Sequence, residues 1–165
     1  MAIVIPAPAR LVLEKLHNAG FAAFVVGGCV RDSLLGRTPG DWDITTAARP
    51  EQVHAALSGL TVLDTGLQHG TVTALVEETR LEITTFRTEG GYGDSRHPGW
   101  VSFVPCVEED LARRDFTVNA MAYSPTRGYA DPFHGRQDLE RGILRAVRDP
   151  KERFSEDSLR GFFSS

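Results

Sequence analysis

The sequence predicts an α/β domain, and three observations carry the prediction. The apolar strand Ala22–Val26 runs through a glycine pair into a helix, Gly28–Leu35, and then into a second strand, Asp41–Thr46. Two β-rich runs at 71–77 and 80–87, parted only by Glu78-Thr79, read as an antiparallel hairpin. Segments of helical spacing, stopped by glycine or opened by proline, lie between the strands and supply the helices.

From the N-terminus, Arg10–Ala19 sets Leu11, Leu13 and Leu16 near helical spacing and stops at Gly20. Ala22–Val26 is expected near the centre of the sheet, and Gly36 ends the helix after it. Arg37-Thr-Pro-Gly40 turns the chain into Asp41–Thr46. Pro50–Leu57 reads as a helix with proline at its start, closed by Ser58-Gly59. In the second hairpin run, Glu82 is expected to share a face with Thr84 and Phe86. Thr88–Gly99 holds four glycines and a proline and reads as a mobile loop. Val101–Val104 is then a strand and Glu108–Ala112 a short helix. Strands at Val118–Tyr123 and Gly128–Ala130 flank a turn at Ser124-Pro-Thr-Arg127, and Asp138–Arg141 and Pro150–Arg160 read as helical.

Composition narrows the function. With 165 residues, 41% apolar and 24% charged, the chain can bury a real core as one domain, or one and part of a second. A formal charge of −4 argues against a broad basic surface for gripping long nucleic acid. The charge is uneven: residues 1–112 hold 8 Lys and Arg against 14 Asp and Glu, residues 113–165 hold 10 against 8. The C-terminal third is therefore the expected phosphate or nucleic-acid side. Cys29 and Cys106 lie far apart without metal spacing and read as two buried thiols of a reducing cytoplasm. The apolar start Met1-Ala-Ile-Val-Ile-Pro6 lacks a basic flank, so no signal peptide or membrane partner is expected.

Two motifs carry chemistry. Side chains at i and i+2 of a strand point to one face, so Asp41 and Asp43 are expected to converge. Oxygen ligands suit a hard cation such as Mg²⁺, and the Gly27-Gly28 helix start with Arg31 one turn inside it suits phosphates. Either motif alone has a plain structural reading; their coupling within 17 residues favours a metal-nucleotide site. Glu82 is the natural third carboxylate, able to accept a hydroxyl proton or complete a metal shell. The run Arg113-Arg-Asp-Phe-Thr-Val-Asn-Ala-Met-Ala122 is a poor recipe for a plain core strand. Its arginines, Arg114 among them, could offer forked donors to phosphate and Asp115 could accept from ribose hydroxyls, or an Arg-Asp pair could simply hold a strand end; Asn119 is expected to bond backbone or nucleotide. Arg153, Asp157 and Arg160 fall at i, i+4 and i+7 of the last predicted helix, where Asp157 and Arg160 could read a base edge or form a surface ion pair.

Gly27-Gly-Cys-Val-Arg-Asp32, Asp41-Trp-Asp43, Leu81-Glu-Ile-Thr-Thr-Phe-Arg87, the 113–122 run, Asp131-Pro-Phe-His-Gly135 and Arg153-Phe-Ser-Glu-Asp-Ser-Leu-Arg160 together resemble one family. It is that of the tRNA nucleotidyltransferases (CCA-adding enzymes) and bacterial poly(A) polymerases. The resemblance implies a mixed sheet with helices, the polymerase-β-like nucleotidyltransferase fold. It implies a head domain over residues 1–145 and, over 146–165, the start of a helical neck. Asp41 and Asp43 would hold Mg²⁺, with Glu82 as third acid and two ions engaged during catalysis. Gly27, Gly28 and Arg31 would meet the triphosphate, Arg114 the nucleotide and Asp115 the ribose. Asp157 and Arg160 would select C or A, with the 88–99 loop linked to switching between them. The substrates would be CTP, ATP and the tRNA 3′ end. Beyond Arg160 the family's helix continues, whereas Gly161-Phe-Phe-Ser-Ser165 interrupts it here, so the neck is expected to be cut short and tRNA grip to need further domains or an oligomer. The alternatives are a poly(A) polymerase or small nucleotidyltransferase with another acceptor, and a nucleotide-binding remnant without turnover.

Overall fold

The structure is a computed structural model that describes residues 3–89, 101–147 and 153–154. Its first helix, α1 (Ala7–Asn18), starts three residues before the expected Arg10. Pro6 stands at its N-cap and Pro8 in its first turn, where a missing N–H is no loss. Ala9, Val12, Leu13 and Leu16 form its buried stripe.

Strand β1 (Ala23–Val26) leads into helix α2 (Gly28–Leu34), and β2 (Asp43–Thr46) follows. Helix α3 (Pro50–Ala56) precedes β3 (Thr61–Gly66), an edge strand in a stretch to which the sequence reading assigned no element. Its exposure alternates too weakly to give a period-two signal. The hairpin of β4 (Thr71–Val76) and β5 (Thr79–Thr85) is present, with its tight turn at Glu77-Glu78. A smaller hairpin pairs β6 (Arg87–Glu89) with β7 (Val101–Phe103). Thr88 and Glu89 are thus strand residues where a loop was expected; 90–99 lie outside the described residues. Helix α4 (Val107–Leu111) is followed by β8 (Ala122–Ser124), β9 (Gly128–Ala130), helix α5 (Gly135–Arg141), β10 (Leu144–Arg145) and β11 (Arg153–Phe154).

Seven strands form one mixed sheet in the order β3-β4-β5-β2-β1-β8-β9, in which β2 and β5 run parallel and the other neighbours antiparallel. All four residues of β1 are buried. Ala23 and Val25 join the larger core, with α1, α2 and α3; Phe24 and Val26 join a second core under α4, with Phe86, Val107 and Leu111. A strand covered on both faces reads as a continuous apolar run, as Ala22–Val26 does.

Two expectations fail for physical reasons. The predicted strand 118–123 begins only at Ala122, because Thr117–Asn119 wind into a short 3₁₀ turn. Thr117 and Asn119 spend their side chains on Asp138 and Arg31, contacts a flat strand would not reach. The helix predicted over 150–160 is absent at its only described residues: Arg153 and Phe154 pair antiparallel with Arg145 and Leu144. Asp157 and Arg160, expected on one helical face with Arg153, lie outside the described residues.

Candidate active site

Asp43 is the first residue of β2, and Asp41 precedes the strand rather than lying in it as expected. Both are exposed while Trp42 between them is buried, so the alternation reaches back beyond the strand end. In the sheet register Asp43 stands opposite Val26 on one side and Glu82 on the other. The carboxylates of Asp43 and Glu82 thus share the α4 face of two neighbouring parallel strands.

That arrangement holds the Asp43 carboxyl above the ordinary carboxylate range. Crowding by protein atoms, which strips water from it, is the largest cause; the Glu82 charge comes next, Arg114 opposes, and Asp41 adds to the rise. Three acids repelling one another at a surface gain from a cation. Among the described residues, however, no three His, Cys, Asp or Glu side chains come together tightly enough to hold a metal alone. Two carboxylates completed by phosphate oxygens and water is the arrangement that fits Mg²⁺.

Beside the acids opens a cleft of about 470 Å³ lined by Gly27, Gly28, Arg31, Arg113, Arg114, Asp115 and Asn119. Gly27 caps α2 at φ +80°, a conformation that favours glycine, and its N–H bonds the Met121 carbonyl at 3.1 Å. The glycine pair also leaves room for two guanidiniums. A Cβ on Gly27 would lie 3.2 Å from Arg114 Nη1, and one on Gly28 3.3 Å from Arg31 Nη2. Arg31 donates from Nη1 to Asn119 Oδ1 at 2.8 Å and from Nε to Asp32 Oδ1 at 3.0 Å. Asp115 is exposed at the cleft and accepts from the Phe116 N–H at 2.8 Å.

The residue that sequence reasoning missed is Asp110. Its side chain is fully buried and gathers four partners: Thr45 Oγ1 at 3.2 Å, the Arg87 N–H at 3.0 Å, Arg113 Nε at 3.4 Å and Arg114 Nη2 at 3.8 Å. Asp110 therefore ties the arginine pair of the cleft to β2, the strand that carries Asp43. Its spacing of three and four residues to Arg113 and Arg114 along a helical stretch was the available signal. Burial, and then the neighbouring Arg113, depress the Arg114 pKa, while Asp110 and Asp43 hold it up; it remains a cation at neutral pH.

Other expected residues are structural. Asp131 caps α5, its two oxygens accepting from the Gly135 and Arg136 N–H groups at 2.7 and 3.1 Å. Cys29 is buried, its thiol pushed up to about 12 by burial, whereas Cys106 is only half-buried, against expectation, and contacts Glu109. A thiol that hard to ionise is inert.

The family model described as Poly A polymerase head domain matches residues 23–145, which contain every element of this site. The chain belongs to that family. It is 49% identical over 152 residues to the CCA-adding enzyme of Leuconostoc mesenteroides, covering 92% of this chain and 37% of that one. Identity to the CCA-adding enzyme of Lactobacillus delbrueckii subsp. bulgaricus is 52% over 149 residues, 90% of this chain and 37% of that one. Among solved structures, the Bacillus stearothermophilus CCA-adding enzyme in complex with CTP superposes with a TM-score of 0.77 at 42% identity, over 95% of this chain and 38% of that one. A tRNA nucleotidyltransferase complexed with a primer tRNA and an incoming ATP analog gives 0.64 at 30% identity, over 82% and 38%. The head-domain fold is therefore the polymerase-β nucleotidyltransferase fold. The chain spans a little over a third of the length of these relatives.

Proposed function

We propose that this chain is the head of a tRNA nucleotidyltransferase that adds CMP and AMP to the tRNA 3′ end. The observation that carries the reading is Arg114, which borders the cleft over Gly27 and is tied through Asp110 to Thr45 of the strand that begins at Asp43. The residues proposed for phosphate and those proposed for metal are thus linked by one guanidinium. The triphosphate of CTP or ATP lies over Gly27 and Gly28 against Arg31 and Arg114, with its ribose toward Asp115. The RNA 3′-hydroxyl oxygen attacks the α-phosphorus; the bond from that phosphorus to the bridging oxygen breaks, and pyrophosphate leaves. Glu82, opposite Asp43 on the neighbouring strand, would take the hydroxyl proton. Asp41 and Asp43 would hold one Mg²⁺, which would sharpen the nucleophile, with a second ion to offset the charge of the leaving group. Arg31 and Arg114 hold the phosphates in line, which a fixed Arg31–Asn119 bond favours. Base choice by Asp157 and Arg160, and the division into a head at 1–145 and a neck from 146, rest on the family resemblance.

The test offers radiolabelled CTP and ATP, with Mg²⁺, to tRNA lacking its 3′ end. With a net charge of −4 the chain should bind the nucleotides but extend tRNA weakly, and less still as salt rises. Long tails from ATP alone would replace CCA addition by poly(A) synthesis. Absence of any triphosphate binding would overturn the reading.

A further inference from the structure

The segment Asp131–Asp138 does not touch the proposed triphosphate cleft, yet its groups converge on the 3₁₀ turn that does. With Asp131 capping it, the start of α5 presses so closely on Thr117 that a Cβ on Gly135 would lie 2.1 Å from the Thr117 carbonyl oxygen. One helical turn on, the carboxylate of Asp138 is buried, 3% exposed, and accepts from Thr117 Oγ1 at 2.7 Å. Its other oxygen lies 3.4 Å from Arg145 Nη2 on β10. A buried carboxylate left without partners is costly, so Asp138 holds both neighbours firmly.

Two residues beyond Thr117, Asn119 accepts from Arg31, and Met121 accepts from the Gly27 N–H. The turn held by Asp138 therefore sets both the guanidinium and the glycine over which the phosphates would lie. We infer that Asp138 is a positioning residue for the nucleotide cleft, acting through Thr117 on Asn119 and Arg31. The same carboxylate links the cleft to β10 and, through it, to β11. The inference rests on the proposed triphosphate site and adds to it the element that fixes its geometry.

Calorimetric titration of the 165-residue chain with Mg²⁺-CTP tests it. Three variants are compared with the parent: Asp138→Asn, Thr117→Val and a remote core control, Val12→Ala. Thr117→Val keeps the shape of the side chain and removes only its bond to Asp138, so it reports even where Asp138→Asn fails to fold. Both cleft-side variants should bind roughly tenfold more weakly, as loosened support of a ligand site does. Val12→Ala should lose melting temperature and keep the parental affinity. Parental affinity in Thr117→Val, or an equal loss of affinity in Val12→Ala, would overturn the positioning role while leaving the site itself standing. A parent that binds no triphosphate would instead bring down the proposed function, and this inference with it.

Discussion

Asp43 meets opposing demands. Its carboxyl is held above the ordinary value of 3.8, so the ionised group costs the metal-free fold stability. That cost is absent below the ordinary value and appears as pH rises through the raised one. Asp43→Asn should therefore melt above the parent at neutral pH without metal, the gap closing toward about pH 4. Adding Mg²⁺ with CTP should raise the melting temperature of the parent and leave the variant unmoved. Thermal melts across pH decide it; a variant that melts below the parent at neutral pH would contradict the account. The same residue shows what sequence can reveal, since an Asp-x-Asp beside a strand exposes its own geometry. Asp110 shows the converse. In the run Glu108-Glu109-Asp110 the spacing to Arg113 and Arg114 hints at an ion pair for Asp110, but only the fold buries it and turns it onto Thr45.

At the scale of elements, legibility followed periodicity. Buried β1, the β4–β5 hairpin and the glycine-stopped helices were legible because apolar spacing or turn residues announce them. The 3₁₀ turn at 117–119 was not, because its conformation is imposed by partners 21 and 88 residues away. The β10–β11 pairing is likewise a tertiary fact without a local signature. The β4–β5 turn carries local strain: Glu77 and Glu78, at φ +50° and +67°, lie in the left-handed region. Replacing them with Asn-Gly, which such turns favour, should stabilise the protein by about 1 kcal/mol. Urea unfolding reads this directly, and an unchanged midpoint would show that the turn is not strained.

On the scale of the whole molecule, the cleft, the acids and their supports are built from segments far apart in sequence. Gly27 and Arg31 come from the β1–α2 junction, Asp43 from the central strand, and Arg114 and Asn119 from the crossing between α4 and β8. The sheet brings them to one end of β1 and β2, where Val26 faces Asp43. Of the cleft's arginines, Arg113 and Arg114 come from the C-terminal third and Arg31 from the N-terminal part, which also carries Asp41, Asp43 and Glu82. Phosphate and metal would share this one place. Crystals of the chain grown with CTP and Mn²⁺, read by the anomalous signal of manganese, test it most directly. The account predicts manganese on Asp41 and Asp43, with the triphosphate over Gly27 and Gly28 within reach of Arg31 and Arg114. Manganese and CTP bound elsewhere, with those carboxylates and arginines untouched, would contradict it.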